Sequence, residues 1–163
     1  MDKNKIRREI CRKRGAIGLE EVISKSKKIK TILFNCDKFK QAKSILFYAS
    51  YRNEVDTSDM ISESLGSKTV LLPRIDNGNL RVCRINSLNE LSSDKHGIME
   101  PRTKEGYSSK IDLVIVPGGA FDRRGYRIGF GKGYYDKPMP KIKTENIELA
   151  FEFQVVDFIP CRD

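Results

Sequence analysis

Val116-Pro117-Gly118-Gly119-Ala120-Phe121-Asp122-Arg123-Arg124-Gly125-Tyr126-Arg127-Ile128-Gly129-Phe130-Gly131-Lys132-Gly133-Tyr134-Tyr135-Asp136 is the stretch on which the reading of this chain turns. It carries six of the twelve glycines, three arginines and a lysine, and it follows Ile111 to Val116, the most strand-like run in the chain. Such a short run, apolar except at Asp112, suits a strand buried on both faces, as in a parallel sheet. A strand, a glycine-rich loop and then a helix start form an anion site. Glycines let the backbone approach a ligand, and the first amides of the helix point at its charge. Lys132, with Arg127 five residues before it, could neutralise a phosphate held there. The spacing is neither Gly-x-Gly-x-x-Gly nor a P-loop ending in Lys-Ser/Thr, so those generic motifs do not account for it.

Outward from this stretch, the 163 residues predict one domain, 1–163, with a core of its own. Apolar residues make up 39% and charged residues 33%, a balance suited to a soluble globular protein. No run is apolar enough to span a bilayer and the N-terminal residues are too charged for a secretory leader, so the expected location is the cytoplasm. Cys11, Cys36, Cys83 and Cys161 form no Cys-x-x-Cys pair and read as reduced thiols. The net charge of +9 is uneven. Residues 1–43 hold 14 Lys and Arg against 5 Asp and Glu, while the rest of the chain carries 17 of each sign. Such an excess fits a nucleic acid, an anionic small molecule or a solvated face.

Asp2 to Arg14 reads as a helix with Ile6 and Ile10 on one side and Lys3, Arg7 and Arg14 at helical spacing on another; Gly15 and Gly18 break it. A second helix is predicted over Leu19 to Phe34, with Val22, Ile29, Ile32 and Leu33 as its apolar stripe. Ser44 to Ala49, which includes Tyr48, is a buried strand, and Asp56 or Thr57 caps a helix over Met60 to Leu65. Lys68 to Leu72 makes a strand closed by Pro73-Arg74. Asn77-Gly78 then predicts a tight turn, with Leu80 to Ile85 returning antiparallel. Leu88 and Leu91 suggest a short helix. His96 lies in a polar loop and is given no role. A helix is predicted to begin near Gly131, cut short by Pro138 and Pro140, and Glu148 to Phe153 is one more strand. Strands alternating with helices predict a three-layer α/β domain, an open and mainly parallel sheet with helices on both faces.

Phe121-Asp122, Gly125-Tyr126-Arg127, Gly129-x-Gly131-x-Gly133 and Tyr134-Tyr135-Asp136 together resemble the signature of the 5-formyltetrahydrofolate cyclo-ligase (5,10-methenyltetrahydrofolate synthetase) family. Further agreement lies in Lys3, Ile6 and Arg7, in Glu54-Val55-Asp56-Thr57, in Gly97-Ile98-Met99-Glu100-Pro101 and in Gln154. The resemblance implies a sheet akin to the sugar-phosphate isomerase and CoA-transferase type. It also implies conversion of 5-formyltetrahydrofolate and MgATP to 5,10-methenyltetrahydrofolate, ADP and phosphate. By the same resemblance, Lys132 and Arg127 act on the transferring phosphoryl group, and Lys3, Arg7, Gly129, Phe130, Gly131, Gly133 and Tyr134 bind ATP. Glu54, Tyr48 and Tyr135 meet folate, and Asp136 holds Mg²⁺ directly or through water. A carboxylate such as Glu54 suits a pteridine because it accepts two parallel hydrogen bonds.

The chain departs from the family pattern in three places. Phe130 stands where some members have arginine, so that one phosphate contact is either missing or supplied by Arg123 or Arg124. Pro138 interrupts the expected helix. The chain is expected to lack the family's last strand and helix, which would leave a sheet edge open. The expected partners are the two small-molecule substrates, with the chain a monomer and neither a membrane nor a nucleic acid engaged. The rival reading, a non-enzymatic nucleotide- or nucleic-acid-binding protein on the same fold, stays open at this level.

Overall fold

The computed structural model describes residues 2–130 and 143–160. Helix α1 (Lys3–Ala16) buries Ile6 and Ile10, one turn apart on the face predicted. Gly15 does not break it. The helix runs on to Ala16 and ends at Ile17, whose extended backbone carries a buried side chain into the core. Helix α2 (Leu19–Phe34) starts after Gly18, with Glu20 and Glu21 in its first turn, where the helix dipole favours acids. Its buried stripe differs from the expected one. Ile32 is 72% exposed, and Ser26 is buried instead, because its Oγ accepts the amide of Asp56 (2.8 Å). A short helix α3 (Asp37–Gln41), which the sequence reading missed, follows; its Phe39 stacks on Phe34 at 4.5 Å. Lys68 donates to the carbonyls of Phe39, Lys40 and Ala42 and so satisfies the end of this helix.

Strand β1 (Ser44–Leu46) is shorter than expected, and helix α4 (Ser58–Ser64) follows the loop that holds Glu54. Strand β2 (Thr69–Asp76) does not stop at Pro73. It continues to the Asn77-Gly78 turn, where both residues have positive φ (49° and 76°), and pairs along its length with β3 (Asn79–Ile85). The carbonyl of Val82, opposite Pro73, accepts the amide of Tyr107 (2.7 Å). The short helix expected at Leu88 is a single 3-10 turn, Leu88–Glu90, which leads into β4 (Leu91–Ser93); β4 pairs antiparallel with β5 (Met99–Pro101). Then come β6 (Leu113–Val116), β7 (Ala120–Asp122), β8 (Arg127–Ile128), β9 (Glu145–Glu148) and β10 (Val155–Val156). The expected strand over Glu148 to Phe153 is therefore displaced: β9 ends at Glu148, and Glu152–Gln154 forms a 3-10 turn.

The central sheet has the order β3-β2-β1-β6-β9, parallel throughout except for the β2–β3 hairpin at one edge. Alternation along the strands sends Ile45, Val70, Leu72, Leu113 and Ile115 to one face, where α2, α3 and α4 pack through Val22, Leu33, Phe39, Met60 and Ile61. Leu46, Leu71, Val114 and Val116 face the other way, toward Tyr107 and Ile111. The helix predicted from Gly131 falls outside the described residues. A small second sheet, β10-β7-β8, receives the apolar side of α1: Ile6 and Ile10 meet Ala120, Ile128 and Ile159. The architecture is mixed α/β with a mainly parallel sheet, and its parallel strands deliver their following loops to one edge.

Candidate functional site at the edge of the parallel sheet

Among the described residues, the loops at that edge that bear on a site are the segment after β1 that carries Glu54, the glycine-rich segment after β6, and the Leu149–Gln154 segment after β9. The glycine segment is not the simple loop expected. It turns back on itself as the β7–β8 hairpin before reaching Gly129 and Phe130. Its first two glycines are required by that hairpin. A Cβ on Gly118 would lie 2.5 Å from the Phe121 ring, and one on Gly119 would lie 3.0 Å from the carbonyl oxygen of Ile128. Gln154 locks the bend: its Nε2 donates to the carbonyls of Gly118 and Gly119, and its Oε1 accepts the amide of Phe151. Buried at this position, the carboxamide uses both ends, which keeps the loop in one shape.

Asp122 anchors the hairpin turn. Its Oδ1 accepts the amides of Arg124 and Tyr126. Its Oδ2 accepts from Nε and Nη2 of Arg124 and from the amide of Ile159. Gly125 takes φ of 87° to close the turn. Arg124 also donates to the carbonyl of Ile159 and lies over the Phe158 ring at 4.0 Å and the Tyr126 ring at 4.8 Å. Burial works against the charge of Asp122, yet the Arg124 guanidinium and the amides of Ile159, Tyr126 and Arg124 outweigh it and hold the carboxyl at about 2. Arg124, one of the two arginines named for the phosphate contact, here ties the chain after β10 onto the hairpin. Arg123 is exposed.

Helix α1 spans the gap between the glycine segment and the Glu54 loop. Arg7 donates through Nε to the carbonyl of Gly129 (3.2 Å) and through Nη1 to Asn4. Two turns later, the Arg14 guanidinium lies 4.1 Å over the ring of Phe130. At the end of the helix, Nδ2 of Asn53 donates to the carbonyls of Arg14 (2.8 Å) and Ile17 (3.2 Å). The expected ATP residues Arg7, Gly129 and Phe130 are therefore brought together, with half-buried Lys3 one turn before Arg7 on the same helix. Asn53 and Arg14 are the members that the sequence reading assigned no role. The available signal was the seven-residue interval from Arg7 to Arg14, two turns on one helix face.

In the loop after β1, Glu54 accepts the amide of Tyr51 through Oε2 (2.8 Å), closing a tight turn in which Arg52 has a positive φ of 51°. Positive φ at a non-glycine residue is strained and persists where surrounding contacts hold it. Tyr48, expected at the folate, is instead buried in the core, where its hydroxyl donates to the carbonyl of Val55 (2.9 Å) and supports this loop. Thr57 donates to the carbonyl of Tyr48 (2.6 Å) from the same place. The Gly97-to-Pro101 motif approaches from the side: Gly97 (φ 82°) sits against the Tyr51 ring. Arg74 pins the motif by pairing with Glu100 (3.4 Å) and donating to the carbonyl of Pro101 (2.7 Å).

Arg127, on β8, and Glu148, at the end of β9, feel each other's charge. Burial pushes the Glu148 carboxyl above its ordinary range; Arg127 pulls it back and Asp122 adds to the rise. Gly131, Lys132, Gly133, Tyr134, Tyr135 and Asp136 lie outside the described residues. Among the described residues no three His, Cys, Asp or Glu side chains gather to hold a metal ion, and no helix is long and apolar enough to cross a membrane.

This architecture has solved counterparts. The NMR structure of a 5,10-methenyltetrahydrofolate synthetase from Aquifex aeolicus superposes with a TM-score of 0.90 at 34% identity, over the whole of this chain and 84% of that one. A 5,10-methenyltetrahydrofolate synthetase from Mycoplasma pneumoniae gives 0.70 at 25% identity, over 99% and 92% of the two chains. A Caenorhabditis elegans protein named as a probable 5-formyltetrahydrofolate cyclo-ligase is 29% identical over 91% of this chain and 81% of its own length. The profile of the 5-formyltetrahydrofolate cyclo-ligase family matches residues 1–163, and the chain belongs to that family.

Proposed function

We propose that this chain cyclises 5-formyltetrahydrofolate to 5,10-methenyltetrahydrofolate at the expense of ATP, at the edge where α1 joins the glycine segment to the Glu54 loop. The observation that carries this reading is that junction: Arg7 reaches Gly129 while the end of α1 is held by Asn53, one residue from Glu54. A nucleotide on the glycine segment and a pterin on Glu54 would then be neighbours.

The reaction needs such proximity. The formyl oxygen of an amide is a poor leaving group until it is phosphorylated. It attacks the γ-phosphorus, ADP departs, N10 adds to the activated carbon, and phosphate leaves as N10 gives up its proton. The protein's part is to hold two substrates in line and offset charge on the moving phosphoryl group. Lys132 and Arg127 serve that charge, the amides from Gly129 to Tyr134 cradle phosphate, and Lys3 and Arg7 extend the cationic lining. Glu54 reads the pteridine, Tyr48 supports its loop from below, and Tyr135 packs beside the folate. Mg²⁺ travelling with the triphosphate would offset part of its charge. Such an ion keeps most of its waters and needs only one or two protein carboxylates, so Asp136 suffices to hold it. Both substrate loops come from one chain, which supports action as a monomer. The free thiols of Cys11, Cys36 and Cys83 fit a reducing compartment such as the cytoplasm. The inward engagement of Arg7 and Arg14 counts against α1 as a nucleic-acid arm.

The test is absorbance of methenyltetrahydrofolate formed from 5-formyltetrahydrofolate, with and without MgATP. Product is expected only with both nucleotide and Mg²⁺, and Lys132→Ala is expected to lower kcat by about 10²-fold with little change in melting temperature. Product without nucleotide, or an unaltered kcat in the variant, removes this mechanism.

A further inference from the structure

We propose that Arg14 is a nucleotide-binding residue of this site, meeting phosphate oxygens of ATP from the α1 side of the glycine segment; the assignment rests on the cyclo-ligase reading above. Arg14 occupies the last turn of α1, and two independent contacts fix it. Its carbonyl accepts from Asn53 (2.8 Å), and its guanidinium lies 4.1 Å over Phe130. A guanidinium lying over a ring still presents its donors to other partners. One of them, Nη1, is buried and has no hydrogen-bond partner among the described residues. A buried donor on a cation is costly to leave unmade, and an acceptor arriving with a ligand removes that cost.

Its surroundings say which ligand. Arg7, two turns earlier and about 10 Å along the axis, already donates to the carbonyl of Gly129, the residue before Phe130. Both arginines therefore meet consecutive residues of the glycine segment, directly before Gly131-Lys132-Gly133. The carboxylate that would read the pterin, Glu54, follows Asn53 in sequence and closes its own turn by accepting the amide of Tyr51. A guanidinium among glycine-segment backbone, with Arg7 and Lys3 on the same helix, suits phosphate, which accepts its fork from two oxygens at once.

The experiment compares wild type, Arg14→Ala and Arg14→Lys by the KM of each substrate and by calorimetric titration with ADP. Arg14→Ala is expected to raise the KM for ATP and the Kd for ADP by about 10- to 100-fold, with the KM for 5-formyltetrahydrofolate within about twofold. Arg14→Lys recovers part of the loss, since it returns the charge without the fork. Equal losses for both substrates, or unchanged ADP affinity with a lowered melting temperature, would show a structural wedge and overturn the assignment. Absence of product from wild type overturns the cyclo-ligase reading alone, because the ADP titration reads Arg14 independently of turnover. If Arg14→Ala does not fold, Arg14→Gln keeps the aliphatic stem and removes the charge and the fork. A weakening of ADP binding by about 3- to 10-fold then supports the proposal, and none refutes it.

Discussion

Arg124 and Arg14 are the same residue lying over aromatic rings on two sides of one glycine hairpin, yet they do opposite things. Arg124 has Asp122 on its Nε and Nη2, the Ile159 carbonyl on Nη2, and the Phe158 and Tyr126 rings beside it. Arg14 has the Phe130 ring and one buried nitrogen with no acceptor among the described residues. Ring contact and charge do not distinguish them; completeness of hydrogen bonding does. A network closed on itself stabilises the fold and offers a ligand nothing. An open donor costs the empty protein something and is repaid only by an occupant.

The sharpest way to break this comparison is to open the closed side. Asp122→Ala leaves Arg124 and three amides facing a buried gap, and we expect a fall in melting temperature of roughly 10 °C at pH 7, read by circular dichroism. The sign with pH follows from the depressed carboxyl. With a folded value of about 2 against an ordinary 3.8, the stabilisation is complete above the ordinary value and drains away as pH falls toward 2. The gap between variant and wild type should therefore narrow as pH falls below the ordinary value of 3.8 and close near pH 2; a gap independent of pH would mean that the charge of Asp122 is not what holds the tail.

A smaller effect is expected from matched truncations. Arg124→Ala should lower the melting temperature by several degrees, about half the Asp122 effect, because the amides keep their acceptor. Arg14→Ala in the same experiment should leave it within about 2 °C, since the wild-type donor gains nothing from the empty site. Similar losses in both variants would dissolve the distinction between closed and open networks.

The smallest effect belongs to Glu148. Its folded value is raised by burial, so the folded state holds the proton more tightly than the unfolded chain does. Stability linked to it is present at acid pH and lost as pH rises through the raised value. Glu148→Gln should flatten this part of the stability profile and leave the variant slightly more stable at pH 7 to 8, as read by urea titration. A variant less stable than wild type across that range would show that the pairing with Arg127 outweighs burial.

Features that depend on neighbours in sequence were legible without coordinates. The Asn77-Gly78 turn followed from two residues that tolerate positive φ, and the β6 strand from an unbroken apolar run. Extents failed where a distant partner decided them. Ser26 displaced Ile32 from the buried stripe because Asp56 needed an acceptor, and β2 ran past Pro73 because its hairpin partner continued. Of the candidate site, Arg7, Gly129 and Glu54 could be named from the signature. Asn53 could not, since its role rests on carbonyls 36 and 39 residues away.

By itself, the sequence determined the alternation of strands and helices, the parallel sheet, the family and the residue types available at its glycine segment. These rest on local periodicity and on a long, chemically mixed signature, both written in consecutive residues. Only the tertiary structure decided what the individual groups in that segment do. Gly118 is glycine to admit the Phe121 ring, Gln154 is glutamine to hold two carbonyls over thirty residues away, and Arg124 is spent on Asp122 and Ile159. Whether a polar group is satisfied depends on which distant atoms the fold brings to it, and residue type alone does not carry that information.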